Sequence, residues 1–355
     1  MMDEISEEFS GTQEIREQHK FDISKLQTYM EAHVDGFAGQ LEVEQFKGGQ
    51  SCPTYKLTAG SRQYVLRRKP PGKLLPSAHA VDREFKVISA LYNTEVPVAR
   101  PYALSDDESI VGTMFYIMEF MDGRVLWDQS LPTIAKADRA LYYDELNRTL
   151  AALHSVDYQA VGLGDFGKPG DYVARQLNRW TKQYRASETE TIEAMDNLIE
   201  WLATTIPGDE KVSVVHGDYR LDNVMFDAHE PRILAVLDWE ISTLGDPLAD
   251  FSYHLMSWRL GGENFRGLAD YDLDDLGIPS ESAYAEAYCK RMGYDSIGNI
   301  DWYMVYNMWR MAAILQGIAK RAIDGTASSP QAVEQGKRAR PLAEMAWALA
   351  EEKLL

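Results

Sequence analysis

Only two cysteines, Cys52 and Cys289, occur in 355 residues. They lie far apart and no C-x-x-C spacing exists, so neither a zinc site nor a disulfide framework is indicated. Two reduced, partly buried thiols are the simpler reading. Positive charge is also scarce: 36 Lys and Arg stand against 55 Asp and Glu, a formal net charge of −19. Such a surface repels phosphate backbones and anionic lipid, which argues against nucleic acid and membranes as partners. It would suit a cationic substrate, although acidity spread along a chain mostly keeps a protein soluble. No apolar run is long enough to span a bilayer. The N-terminal MMDEISEEFSGTQ has neither the basic start nor the apolar core of a signal peptide. A cytoplasmic, enzyme-sized protein is the expectation.

Apolar residues make up 45% of the chain and charged residues 26%, the composition of an ordinary globular protein. The length exceeds what one small core organises, so two lobes are expected. Residues 1–20 read as a flexible N-terminal segment. FDISKLQTYMEAHV has helical spacing, with Asp22 as a candidate cap. Strand-like pieces follow: LEVEQF, TYKLTAGSRQYVLRR, VPVARPYALS, SIVGTMF and FYIMEFM. Between them VDREFKVISALYNT reads as a helix with Val81, Phe85, Ile88 and Leu91 or Tyr92 on one face. Asp122-Gly123 marks a turn and the lobe boundary, giving lobes 21–121 and 122–355. Beyond it the chain is mostly helical and carries one short strand-loop-strand, VVHGDYRLDNVMFD, followed by ILAVLDWE.

Some patterns mislead. GLGDFG at 162–167 matches GxGxxG, but no clear strand precedes it and a loop follows it. A dinucleotide site needs a strand before and a helix N-terminus directly after, so a glycine-rich turn is the better reading. His154 lies late in a helix with no second histidine one turn away; a core histidine bonded to nearby backbone is expected. The aromatic residues of DWYMVYNMWRM read as helix-packing residues, with pocket lining as the minority reading.

The chemistry concentrates in HGDYRLDN and LDWE. Asp218 and Asn223 share one loop, and Asp238 ends the apolar run ILAVL. Two carboxylates and an amide oxygen are hard ligands that suit Mg²⁺, which binds through one or two carboxylates plus substrate phosphates. One carboxylate remains to accept a proton from a hydroxyl nucleophile. Positioned hydroxyl, metal-bridged phosphates and neutralised charge are what phosphoryl transfer needs. In the first third, Gly48 and Gly49 of FKGGQSCPTY offer backbone N–H groups to a phosphate. Arg67 shares a strand face with Val65, and Glu84 on the next helix is placed to pair with it. A solvent-exposed ion pair is the competing reading. Asp222 reads as a residue satisfying loop backbone, and His216 as a brace for the loop. The loop as a whole reads as a base and a metal ligand delivered from one rigid hairpin.

HGDYRLDN followed by LDWE resembles the aminoglycoside phosphotransferase and choline kinase-like group, which shares the protein-kinase fold. The resemblance runs from about residue 41 to the last helices. YVLRRKPPG, DREF, FYIMEFMDG, GLGDFGKPGDY with RQLNRW, and DWEISTLGDPLADFSY are similar to one subfamily, whose relatives include kinase-like domains fused to acyl-CoA dehydrogenases. The resemblance implies an α+β, bilobal protein-kinase-like fold. It has a small antiparallel-sheet N-lobe with one main helix and a larger, mostly helical C-lobe. It implies ATP and Mg²⁺ as cofactors, with Asp218 as catalytic base and Asn223 and Asp238 holding Mg²⁺. The segment from Glu119 to Met121 becomes the hinge that binds adenine. Asp250, in PLADF, becomes a structural carboxylate, with Asp246 serving similarly. The kinase-type lysine is replaced by Arg67, which can hold phosphate bidentately. Lys69, on the same strand face, is the alternative contact.

The leading expectation is an ATP-dependent phosphotransferase acting on a small-molecule hydroxyl. The fused relatives suggest a hydroxylated acyl or acyl-CoA acceptor; an aminoglycoside or other amino-alcohol or sugar is the alternative. HGD in place of HRD, and no APE-like segment, argue against a protein kinase. The intact trio Asp218, Asn223 and Asp238 argues against a non-catalytic nucleotide-binding module.

Overall fold

The computed structural model describes residues 11–47, 52–72, 79–208, 211–327 and 331–352, without the side chains of residues 263 and 264. Gly48 and Gly49, the expected phosphate loop, lie outside the described residues. Two compact units form. The first takes the residues up to Asp128 together with Tyr158–Phe166 and Arg220–Ser242. The second takes Gln129–Asp157, Gly167–Tyr219 and the residues from Thr243 onward.

The first unit is built on a six-stranded antiparallel sheet of β1 (Thr12–Gln13), β2 (Leu41–Phe46), β3 (Thr54–Ala59), β4 (Arg62–Arg68), β5 (Pro101–Ser105) and β6 (Phe115–Glu119), ordered β1-β2-β3-β4-β6-β5. Successive side chains of a strand point to opposite faces. Tyr55, Leu57, Tyr64, Leu66, Phe115 and Ile117 therefore share one core with Leu26 and Met30 of α1 (Ile23–His33). Asp22 caps α1 by accepting from the Ser24 N–H at 3.0 Å. The alternate residues Val65, Arg67, Tyr116 and Met118 are left for the other face, with Val65 opposite Met118 and Arg67 opposite Tyr116.

SIVGTMF, read as a strand, is not one throughout. Asp107 accepts from the Ser109 N–H and caps a short helix, Glu108–Val111, which Gly112 ends at φ +89°. Local capping chemistry overrides the β-branched pair Ile110-Val111. On α2 (Val81–Leu91) the buried face is Val81, Glu84, Val87, Ile88 and Leu91. Glu84 takes the place expected of Phe85. The unit is completed by the hairpin β8 (Val224–Phe226) and β9 (Ile233–Val236).

The second unit is mainly helical. It contains α3 (Arg139–His154), α4 (Tyr172–Ala186), α5 (Glu193–Thr204), α6 (Pro247–Leu255), α7 (Glu281–Met292), α8 (Ile300–Ile323) and α9 (Ala339–Glu351). The 24-residue α8 packs on α4, α6 and α9. It buries an unbroken run from Trp302 to Arg310, the all-round burial of a helix enclosed by others. A two-stranded ladder pairs β7 (Ser213–Val215) with β10 (Thr243–Gly245). No helix among the described residues is long and apolar enough to cross a membrane.

Candidate active site

A cavity of about 420 Å³ opens in the first unit, within the roughly 300–1,000 Å³ typical of small-molecule sites. Val65, Ala99, Met118, Met225, Val236 and Leu237 supply apolar wall, and Glu119, Phe120 and Met121 form one edge. β6 leaves the sheet ladder after Glu119, so the backbone groups of residues 120 and 121 lie outside it. Polar groups enter at Arg67, Glu84, Asp222, Asn223 and Asp238. Lys69 does not line the cavity; its Nζ lies 3.6 Å from Asp82 Oδ1.

Arg67 and Glu84 form an ion pair, as expected, but not an exposed one. Arg67 Nε is 2.8 Å from Glu84 Oε2, with the side chains 14% and 1% exposed. The Tyr116 hydroxyl donates to the same Oε2 at 3.0 Å. Glu84 Oε1 is buried without a hydrogen-bond partner. Burial pushes the Glu84 carboxyl up, and Arg67 and Tyr116 oppose it without reversing it. Burial alone would lower the Arg67 guanidinium; Glu84, Tyr116 and Asp238 outweigh that and raise it. The arginine is thus a fixed cation whose Nη2 reaches Asp238 Oδ1 at 3.2 Å. Cys52 sits in the same field, buried and with its thiol pushed up to about 12, chiefly by burial. It stays protonated at neutral pH.

Antiparallel pairing explains how Asn223 and Asp238 meet. Val224 faces Val236 across the β8–β9 hairpin, and the Leu237 N–H donates to the Asn223 carbonyl at 2.8 Å. Asn223 precedes one strand and Asp238 follows the other, so both line the same end of the cavity. Asp238 adopts a left-handed backbone, φ +61°, which turns the chain directly after β9. Asp222 accepts from Arg220 Nη2 at 2.8 Å, so it is an ion-pair partner and not only a loop-backbone acceptor. Among the described residues no three His, Cys, Asp or Glu side chains gather around a metal site. The oxygens of Asn223 and Asp238 nonetheless suit Mg²⁺, which completes its shell with water and phosphate.

Asp218 belongs to the second unit, so the flanking strands β7 and β8 do not form a hairpin with each other. β7 pairs with β10, and β8 with β9. The loop is braced on the Asp218 side by Asp250, buried near the start of α6. Its Oδ2 accepts from the His216 N–H at 2.7 Å and its Oδ1 from the Gly217 N–H at 2.8 Å. Burial alone would raise Asp250; His154, His216 and these N–H groups together lower it. His154 bonds side chains and not the expected backbone: Tyr288 Oη at 2.6 Å and Asp250 Oδ2 at 3.2 Å. His216 is fully buried and accepts at Nδ1 from the Asp218 N–H at 3.2 Å, which makes it a brace. Asp246 caps α6 through the Leu248 N–H at 2.9 Å and accepts from Tyr303 Oη at 2.6 Å.

Two residues beside Asp218 and its loop were not singled out by the sequence, although Tyr253 ends the DWEISTLGDPLADFSY stretch. The Tyr253 hydroxyl donates to Asp218 Oδ1 at 2.6 Å. Arg310 Nη2 donates to the Gly217 carbonyl at 2.9 Å. Arg310 lies within the aromatic stretch read as helix packing. GLGDFG is a turn: Arg83 donates to the Phe166 carbonyl at 2.7 Å and lies 4.4 Å from the Phe166 ring centroid.

The family model described as a phosphotransferase enzyme family matches residues 42–286. The chain belongs to that phosphotransferase enzyme family. It is similar to mouse "Acyl-CoA dehydrogenase family member 10", with 48% identity over 87% of this chain and 29% of that protein. Rat "Acyl-CoA dehydrogenase family member 11" is 41% identical over 97% of this chain and 45% of that protein. The chain therefore spans less than half of these curated relatives. A solved structure from Ralstonia eutropha, provisionally named an aminoglycoside phosphotransferase, is 56% identical with a TM-score of 0.88, covering 94% of this chain and 99% of that one. A choline kinase from Cryptosporidium parvum is 13% identical with a TM-score of 0.63, covering 94% of this chain and 96% of that one. That likeness shows the kinase-like fold.

Proposed function

We propose that this phosphotransferase moves the γ-phosphate of ATP to a hydroxyl of a hydroxylated acyl or acyl-CoA compound. The first unit acts as the nucleotide lobe and the second as the acceptor lobe. The observation that carries the nucleotide reading is the apolar cavity that ends in a buried arginine–glutamate pair and in two oxygen-ligand side chains. Adenine takes the apolar slot, with the backbone of Glu119 to Met121 along its edge. Arg67 meets the phosphates; Asn223 and Asp238 hold Mg²⁺. Mg²⁺ held there would supply neutralisation of the charge that develops on the transferred phosphate. Asp218 accepts the proton of the acceptor hydroxyl as its oxygen forms a bond to phosphorus and the bond to ADP breaks.

The acceptor class is inferred from two supports. The curated relatives are named as acyl-CoA dehydrogenase family members. The described side chains packed around Asp218 and its loop include the aromatic Tyr253 and the basic Arg310, a setting that does not favour an amino sugar, whose ammonium groups call for carboxylates. The alternative remains an aminoglycoside or other amino alcohol, supported by the Ralstonia relative's name. The test is ADP release stimulated by hydroxylated acyl-CoA esters against aminoglycosides, with wild type and Asp218→Asn side by side. An ester that stimulates the wild type and loses at least about a hundredfold in turnover with Asp218→Asn is expected, the size of a general-base contribution. Stimulation by aminoglycosides alone would overturn the acceptor class. Full turnover by Asp218→Asn would overturn the base.

A further inference from the structure

Asp250 and Tyr253 are three residues apart on α6, and positions i and i+3 of a helix share a face. Asp250 grips the backbone of the His216–Gly217 turn. Tyr253 grips the side chain that follows, and at 2.6 Å its bond to Asp218 Oδ1 has the length of a charge-assisted O–H···O⁻ contact. Behind it stands Arg310 of α8. Its guanidinium carbon lies 5.4 Å from the Tyr253 ring centroid and 6.0 Å from that of Trp180. Its Nη2 holds the Gly217 carbonyl, one residue before Asp218. Arg310 is only 8% exposed, and its Nε is buried without a partner. Burying a cation is costly when its donors are incompletely used. An apolar side chain would fill that space in α8 at lower cost. What offsets the burial is the field of Tyr306, Tyr172, Tyr253 and Asp218.

We propose that Tyr253 and Arg310 are positioning residues for the Asp218 carboxylate, fixing the rotamer in which it takes the acceptor proton. The proposal rests on the reading of Asp218 as the base. Arg310 grips the loop backbone and the ring; the ring's hydroxyl grips the carboxylate. Tyr253 and Arg310 touch neither nucleotide nor metal in this scheme, so their loss acts on turnover and not on nucleotide binding. A misplacement of about 1 Å costs on the order of a hundredfold in rate.

The test uses the full chain with MgATP and a 3-hydroxyacyl-CoA as acceptor probe. Basal ATP hydrolysis, in which water replaces the acceptor, is followed in parallel, so the test stands whether or not that ester is accepted. Tyr253→Phe keeps the ring and removes only the hydroxyl. Its turnover is expected to fall roughly ten- to a hundredfold, with KM for MgATP within twofold of wild type and an unchanged melting temperature. Arg310→Lys keeps charge and reach but loses the flat face on Tyr253; it gives a smaller loss in the same sense, and it carries the test if Tyr253→Phe is unstable. Turnover within twofold of wild type, or a loss expressed in KM for MgATP, overturns the proposal. Asp218→Asn separates the two levels. If it is inactive while Tyr253→Phe is normal, only the positioning role falls. If Asp218→Asn turns over normally, the base reading falls and takes the positioning role with it.

Discussion

Replacing Arg67 by alanine tests the buried pair and the nucleotide site together. Glu84 is 1% exposed and Arg67 is its only cationic partner within salt-bridge distance among the described residues. The Tyr116 hydroxyl would remain on Oε2, and Oε1 has no partner to begin with. Breaking a buried ion pair by removing one member costs about 3–5 kcal/mol, because the remaining charge is stranded. Glu84 can escape by taking a proton, since burial already pushes its carboxyl up and Arg67 is the main force pulling it down. With the arginine gone, its folded-state value rises further above the unfolded one. A carboxyl raised in the folded state binds more protons there, so stability is greatest at low pH and falls as pH rises through the folded value. Arg67→Ala should therefore lose several kcal/mol at pH 8 and distinctly less at pH 5, read by urea unfolding followed by circular dichroism. Adding Glu84→Gln should recover much of the pH 8 loss. Nucleotide affinity, measured by titration calorimetry, should weaken. A pH-independent loss under about 1 kcal/mol would refute the buried-charge reasoning, since surface pairs are worth no more than that. Unchanged affinity would instead move the phosphate contact to Lys69.

His254 is buried and pushed down to about 4 from 6.5, chiefly by burial. A histidine depressed in the folded state contributes stability that is present above pH 6.5 and is lost as pH falls towards 4, here ~3 kcal/mol; His254→Gln should flatten that acid limb in urea unfolding at pH 4–7, and an identical limb would exclude it as the source. At Gly167 an added Cβ would meet Thr243 Oγ1 and lie 2.8 Å from the Leu244 backbone N. Gly167→Ala should cost about 1–3 kcal/mol by overpacking, seen as a lower melting temperature, and neutrality would show that β10 can shift.

Patterns with a fixed period were legible. The alternation in QYVLRR put Val65 and Arg67 on one face, where β4 now presents them to the cavity. The Asp22 cap and the helices that follow strong 3.6-residue patterns stand where the spacing predicts. SIVGTMF failed because a two-residue apolar run carries no period, and one Asx cap with one left-handed glycine decided it. The pairing of Asn223 with Asp238 rested on a motif and is explained by register. Tyr253 and Arg310 were illegible for a different reason. They lie 35 and 92 residues after Asp218, each on a helix whose local pattern is satisfied by packing alone. A hydrogen bond closed by tertiary structure leaves no trace in either helix's periodicity.

HGDYRLDN looks like one motif but is supported as two. The division between the compact units falls between Tyr219 and Arg220. Asp218 is held by His216 within its own loop and, from α6 and α8, by the Tyr253 hydroxyl and by the grip of Asp250 and Arg310 on the preceding backbone. Asn223 owes its place to the β8–β9 register and to the Leu237 N–H. Five residues of sequence thus join the proposed proton acceptor and the proposed metal ligand, which are held by different elements. Substitutions that do not couple contribute additively. A substitution on α6 should therefore appear in the base alone, and one on β9 in nucleotide and metal affinity alone. A motif held by one hairpin would instead lose both functions at once, whichever strand was disturbed.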